Sequence, residues 1–107
     1  MNISKNSKNY NSVTILIEIH AKDGQEEVAR KVFMTTIATT EKPGLLSYEI
    51  FEDSSDKGAL YSIQEWENVE AFQAHMSAAK SGLKEATEML RDMPRISILN
   101  QIGRSAL

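Results

Sequence analysis

The chain contains no cysteine. Disulfide staples, thiolate metal sites and thiol nucleophiles are therefore excluded, and the usage fits a reducing, cytoplasmic setting. Histidine is nearly as scarce: His20 and His75 are the only two, and they stand far apart. A metal would thus need a carboxylate cage, and no spacing of acidic residues proposes one. There is no glycine-rich phosphate loop among the five glycines. No apolar run approaches the ~18 residues of a membrane span, and the start lacks the apolar core of a signal peptide. Positive charge is also in deficit. The net charge is −3 and the 12 basic residues are scattered, so neither nucleic acid nor an anionic membrane is expected as a partner.

What is present suits one modest domain: 107 residues, 41% hydrophobic and 25% charged. The Asn/Ser/Lys-rich stretch 1–11 has too little apolar area to offset ordering entropy and reads as a disordered arm. The folded domain is expected over 12–103, with a short tail at 104–107. "VTILIEI" alternates β-branched residues with Thr14, Leu16 and Glu18, which predicts a strand. "DGQEE" then opens a helix, with Asp23 as cap and Glu26 in capping-box register. Val28, Ala29, Val32, Phe33, Thr36 and Ile37 line one face of that helix, and Pro43-Gly44 closes the segment. "LLSYEIFE" and "ALYSIQEW" read as strands joined by the polar hairpin "DSSDKG". Asn68 caps a second helix through Val69, Phe72, Met76 and Ala79, which breaks near Ser81-Gly82 and resumes through Leu83, Ala86 and Leu90 to Pro94. "RISILNQI" is the last strand.

The order β-α-β-β-α-β predicts an α+β, ferredoxin-like fold: a four-stranded antiparallel sheet with helices on one face. The strands carry apolar residues on both faces. Leu46, Tyr48 and Ile50 oppose Leu45 and Phe51 in the second strand; Ile96, Ile98 and Ile102 oppose Leu99 in the last; Leu16 adds to the first. Helices cover only one face, so a second copy of the chain is expected over the other, giving a homodimer.

"EKPGLLSYEIFEDSSDKGALYSIQEWENVEAFQAHM" resembles the core signature of the antibiotic biosynthesis monooxygenase domain, a dimeric α+β barrel family. The features shared are a Pro-Gly turn, a Ser-Tyr-Glu strand centre, an Asp-rich hairpin, Trp-Glu, a short capped helix and Ala-His. The resemblance covers roughly Ser12 to Gly103. It implies a small cavity between each sheet and its own helices. It also implies one of several chemistries: oxygenation of aromatic phenols or quinols without metal or flavin, haem degradation, or isomerisation of small sugar-derived signals. The chain departs from the pattern at Lys80, where relatives often have a second histidine, and at Gln64, commonly Glu. The Asn, Trp and His positions of the haem-degrading branch fall on Ile17, His75 and Glu85, so haem degradation is not expected.

A deprotonated phenol or quinol passes an electron to O₂ directly, so the protein need only supply a dry cavity and a base. The expected function is cofactor-independent monooxygenation of a small aromatic molecule with O₂. His75 is the base by residue type, on the flank of the second helix; its bland reading is a partly buried histidine bonded to a neighbouring carbonyl. Trp66 reads chiefly as a structural plug at the strand-to-helix corner. Tyr48 and Tyr61 read as core or as polar handles in the pocket. Ile17, Phe33, Phe72 and Met76 read as core that doubles as pocket wall. His20 is expected in solvent. Two other classes share the element order. An RNA-recognition domain needs exposed aromatics on a basic strand, which the acidic "ALYSIQEWE" does not offer. A regulatory amino-acid-binding domain needs an attached enzyme. A non-catalytic small-ligand carrier stays open.

Overall fold

The computed structural model describes residues 12–39, 42–79 and 87–105. Its elements are β1 (Val13–His20), α1 (Glu26–Thr39), β2 (Leu45–Asp53), β3 (Asp56–Trp66), α2 (Val69–Ala78) and β4 (Arg95–Leu99). The strands form one antiparallel sheet in the order β2-β3-β1-β4, the ferredoxin-like α+β arrangement. Among the described residues, no helix is long and apolar enough to cross a membrane.

Alternation decides which residues meet the helices. Ile15, Ile17 and Ile19 of β1 are buried and stand opposite Gln64, Ser62 and Leu60 of β3. Tyr48 and Ile50 of β2 join the same face by pairing with Gln64 and Ser62, and Ile98 and Ile96 of β4 by pairing with Ile15 and Ile17. Ala29 of α1 and Phe72 of α2 pack onto this face with Trp66 and Leu90 to form the core. The opposite face carries Leu16, Phe51, Tyr61, Ile63 and Leu99, of which Phe51, Ile63 and Leu99 are exposed.

Several local expectations are corrected. An irregularity in β2 between Leu45 and Ser47 shifts the alternation there. Leu45, opposite Trp66, therefore packs on the core from the face that Tyr48 and Ile50 share and not from that of Phe51. Helix α1 begins at Glu26, with Asp23 in the preceding turn; Gly24, at φ +86°, reverses the chain, and its N–H donates to the Glu26 carboxylate at 3.0 Å. Leu90 is not helical. It bridges to Ala21, with Lys22 N–H donating to Met89 O and Arg91 N–H to His20 O, which extends the β1 pairing past its end. β4 stops at Leu99, and Ile102 is exposed beyond it. The expected arm 1–11, the helix restart at Leu83 and Ala86, the departures at Lys80 and Glu85, and the Thr36 and Ile37 side chains lie outside what is described.

Candidate functional site

Helix α2 opens a space against the sheet because of what it lacks. Ala71, Ala74 and Ala78 recur at helical spacing along one stripe, so α2 itself puts only short side chains on that side, with His75 the large residue among them. Phe72, on the neighbouring stripe, carries the packing instead. The result is a largely apolar cavity of about 970 Å³. Ile17 and Ile19 of β1, Val32 and Phe33 of α1, and Met89, Leu90, Met93 and Ile96 near β4 supply its apolar walls. Such a volume lies at the upper end of small-molecule sites.

The 42–44 turn closes one side. Gly44 has φ +86°, and a Cβ there would meet the Ala71 Cβ at 2.7 Å. Only glycine allows both the backbone conformation and the close approach of α2. Gly44 O accepts from Glu67 N–H at 2.8 Å, which ties this turn to the corner before α2. At that corner the Asn68 side chain accepts from Ala71 N–H at 2.8 Å, capping the helix and fixing the direction of His75.

His75 is half-buried. Its ring lies 5.1 Å from that of Trp66, tilted by 36°, and Phe72 meets the same indole edge-on at 5.9 Å. Burial, and secondarily the positive charge of Lys42, hold the His75 pKa below the usual imidazole value. At neutral pH the imidazole is thus neutral and able to accept a proton. Tyr48 also borders the cavity, and burial raises its phenol above the ordinary range, partly offset by the neighbouring Ser62 hydroxyl. The phenol stays protonated. Lys42 Nζ sits 5.7 Å from the centre of the Tyr48 ring, within cation–π range.

Five residues singled out from the sequence border the cavity: Ile17, Phe33, Tyr48, His75 and Met76. Trp66 and Phe72 stand in the core, where Trp66 backs His75 and Phe72 backs Trp66. Tyr61 is on the opposite face of the sheet, because strand alternation sends it away from Ser62 and Leu60. His20 is half-buried, not in open solvent, and its Nδ1 is enclosed with no hydrogen-bond partner. Gln64 and Ser62 escaped sequence reasoning as site components. Their signal was parity: they share the inward face with Trp66 and are buried at 2% and 0% exposure. The alanine stripe was also missed, since alanine fits a filled helix contact as readily as an empty one. Among the described residues no group of three or more His, Asp or Glu side chains is placed to hold a metal ion.

Comparison with known proteins agrees with this architecture. Among solved structures, PA3566 from Pseudomonas aeruginosa superposes with a TM-score of 0.78 at 20% identity, covering 91% of this chain and 100% of that one. Rv0793 from Mycobacterium tuberculosis gives 0.77 at 15% identity, covering 89% and 99%. SnoaB from Streptomyces nogalater, a cofactor-independent oxygenase, gives 0.67 at 10% identity, covering 88% and 96%. At these identities the likeness is one of fold. No curated protein matches the sequence. The family model described as antibiotic biosynthesis monooxygenase matches residues 12–82, most of the folded chain, and the protein belongs to that family.

Proposed function

We propose that this protein is a cofactor-independent monooxygenase acting on a phenol- or quinol-type aromatic molecule. The observation that carries the reading is the imidazole of His75, half-buried on the wall of an apolar cavity large enough for a fused-ring ligand, where burial holds its pKa below the usual value. The family includes such oxygenases, and SnoaB, of the same fold, is one.

For an anthrone-like substrate the chemistry closes without an added reductant. His75 takes a proton from the activated CH₂, leaving an electron-rich anion. The anion passes one electron to O₂, and the radical pair combines into a carbon-bound peroxide. Proton return from His75 and loss of water leave a carbonyl. One oxygen atom stays on carbon, the other leaves as water with the two hydrogens of the CH₂, and all four electrons come from the substrate. The apolar wall keeps bulk water from quenching the anion.

A second copy of the chain is proposed over the outer sheet face, where Phe51, Ile63 and Leu99 are 47%, 38% and 43% exposed. Aerobic incubation with a panel of quinols and anthrone-like phenols, followed by oxygen uptake, tests the function. Uptake in stoichiometric proportion to product is expected. Ligand-dependent stabilisation without uptake identifies a carrier instead.

A further inference from the structure

Gln64 is a polar residue that the packing of the inner sheet face does not require. It is 2% exposed, stands on β3 between Ile15 of β1 and Tyr48 of β2, and borders the cavity. A buried amide is destabilising unless its groups are bonded. Two of them are: the Trp66 indole N–H donates to Gln64 Oε1 at 2.8 Å, and Gln64 Nε2 donates to Ser62 Oγ at 3.0 Å. Trp66 and Ser62 lie two residues to either side, so both bonds run along the strand on one face. They also fix which way round the amide sits. An indole nitrogen only donates, so the amide atom facing Trp66 must be the oxygen, and the nitrogen must face Ser62.

That arrangement leaves one amide hydrogen unused. A glutamine nitrogen carries two, both in the amide plane. The one trans to the oxygen leans back toward the root of the side chain; the one cis to it points away from the root. The Ser62 hydroxyl sits on a single-carbon stem, closer to the sheet than the end of the glutamine, and so takes the hydrogen that leans back. The other N–H points off the sheet, on the side of the cavity, and Gln64 has no further side-chain partner among the described residues.

We propose that Gln64 is a ligand-binding residue whose free N–H, held in place by Trp66 and Ser62, donates to an acceptor oxygen of the bound molecule. The cavity then selects a carbonyl or phenolate over the same ring skeleton without the oxygen. Ser62 is a positioning residue that acts through Gln64. A hydrocarbon ligand leaves the N–H buried and unpaired, the situation in which polar sites discriminate most strongly. The inference rests on the ligand-binding reading of the cavity, not on its oxygen chemistry.

Equilibrium dialysis with 9-fluorenone and with fluorene, the same three rings without the carbonyl oxygen, tests the preference on probes that need no turnover. Wild-type protein is expected to favour fluorenone by about tenfold, the worth of one well-placed hydrogen bond. Gln64→Met, which keeps the length of the side chain, should abolish the preference and leave fluorene affinity unchanged. Ser62→Ala should reduce the preference at unchanged fluorene affinity, a split that a merely structural role does not predict. Wild-type protein labelled with ¹⁵N gives a readout that needs no variant to fold. Fluorenone should move the Gln64 side-chain proton cis to the oxygen downfield, and fluorene should not. Equal binding of the two probes, an undiminished preference in Gln64→Met, or a Gln64 signal that fluorenone leaves in place overturns the proposal while the oxygenase reading stands. Binding of neither probe overturns the ligand-binding reading and the proposal with it.

Discussion

At the scale of single residues, position within a surface decides role more than residue type does. His75 and Trp66 are in ring contact, yet one borders the cavity and the other is buried at 0% exposure. Trp66→Ala should cost about 3–5 kcal/mol of stability, as truncating a buried aromatic does, measured by denaturant melts. His75→Ala should leave stability little changed and lower oxygen uptake about 10²–10⁴-fold, the range for loss of a general base. The pH dependence follows from the depressed His75 pKa. Below the ordinary imidazole value near 6.5, the unfolded chain binds a proton that the folded protein resists. Stability should therefore fall as pH drops from about 6.5 toward the folded-state pKa and then level off, with Lys42, Tyr48 and Glu67 as the other ionisable groups about the cavity. His75→Gln should remove that slope in melts taken across the window; an unchanged slope assigns it to another group. The two left-handed glycines form a second contrast. Gly24 faces open space, whereas a Cβ at Gly44 strikes Ala71. Gly24→Ala should cost about 1–2 kcal/mol for backbone strain alone, and Gly44→Ala clearly more.

At the scale of elements, helix α2 both carries the proposed base and makes the room around it. Its cap is local: Asn68→Ala should cost about 1 kcal/mol. Its alanine stripe can be filled on purpose. Ala74→Leu should sharply weaken anthrone binding with little change in melting temperature, since Ala74 lies at the exposed margin of the cavity. Retained affinity would show that ligands sit elsewhere. The elements themselves were largely legible. The period-2 run Val13 to Ile19 and the Asn68 signal were strong, and the polar hairpin at Ser54-Ser55 follows from Asp53, whose carboxylate accepts from the Ser55 N–H and hydroxyl. Legibility failed where one inserted residue or a distant partner overrides local pattern. Leu45 changes face through an irregularity that alternation does not announce, and Leu90 exchanges a helical period for a bridge to Ala21. The cavity itself was not legible, because periodicity reports which residues face inward and not whether anything meets them. The inward polar row Ser62, Gln64 and Trp66 was written in the sequence as parity, but buried glutamine on a strand has no propensity signal to mark it.

At the scale of the whole molecule, one sheet separates two surfaces with different tasks. The inner face holds the core and the cavity; the outer face leaves Phe51, Ile63 and Leu99 to be covered. Light scattering at micromolar concentration should give about twice the 12.0 kDa chain mass, and Phe51→Glu together with Ile63→Glu should lower it toward one. A monomer in the wild-type protein contradicts that cover. The central claim concerns the other face: that a neutral His75 in this cavity suffices to start oxygenation. The most direct test is an oxygen electrode trace of chelator-treated protein with an anthrone-type substrate, wild type beside His75→Ala. The account predicts one O₂ consumed per carbonyl formed by wild type with no cofactor added, and a rate at least about a hundredfold lower in the variant. Equal rates in the two proteins, or uptake that appears only when a metal or flavin is supplied, contradict it.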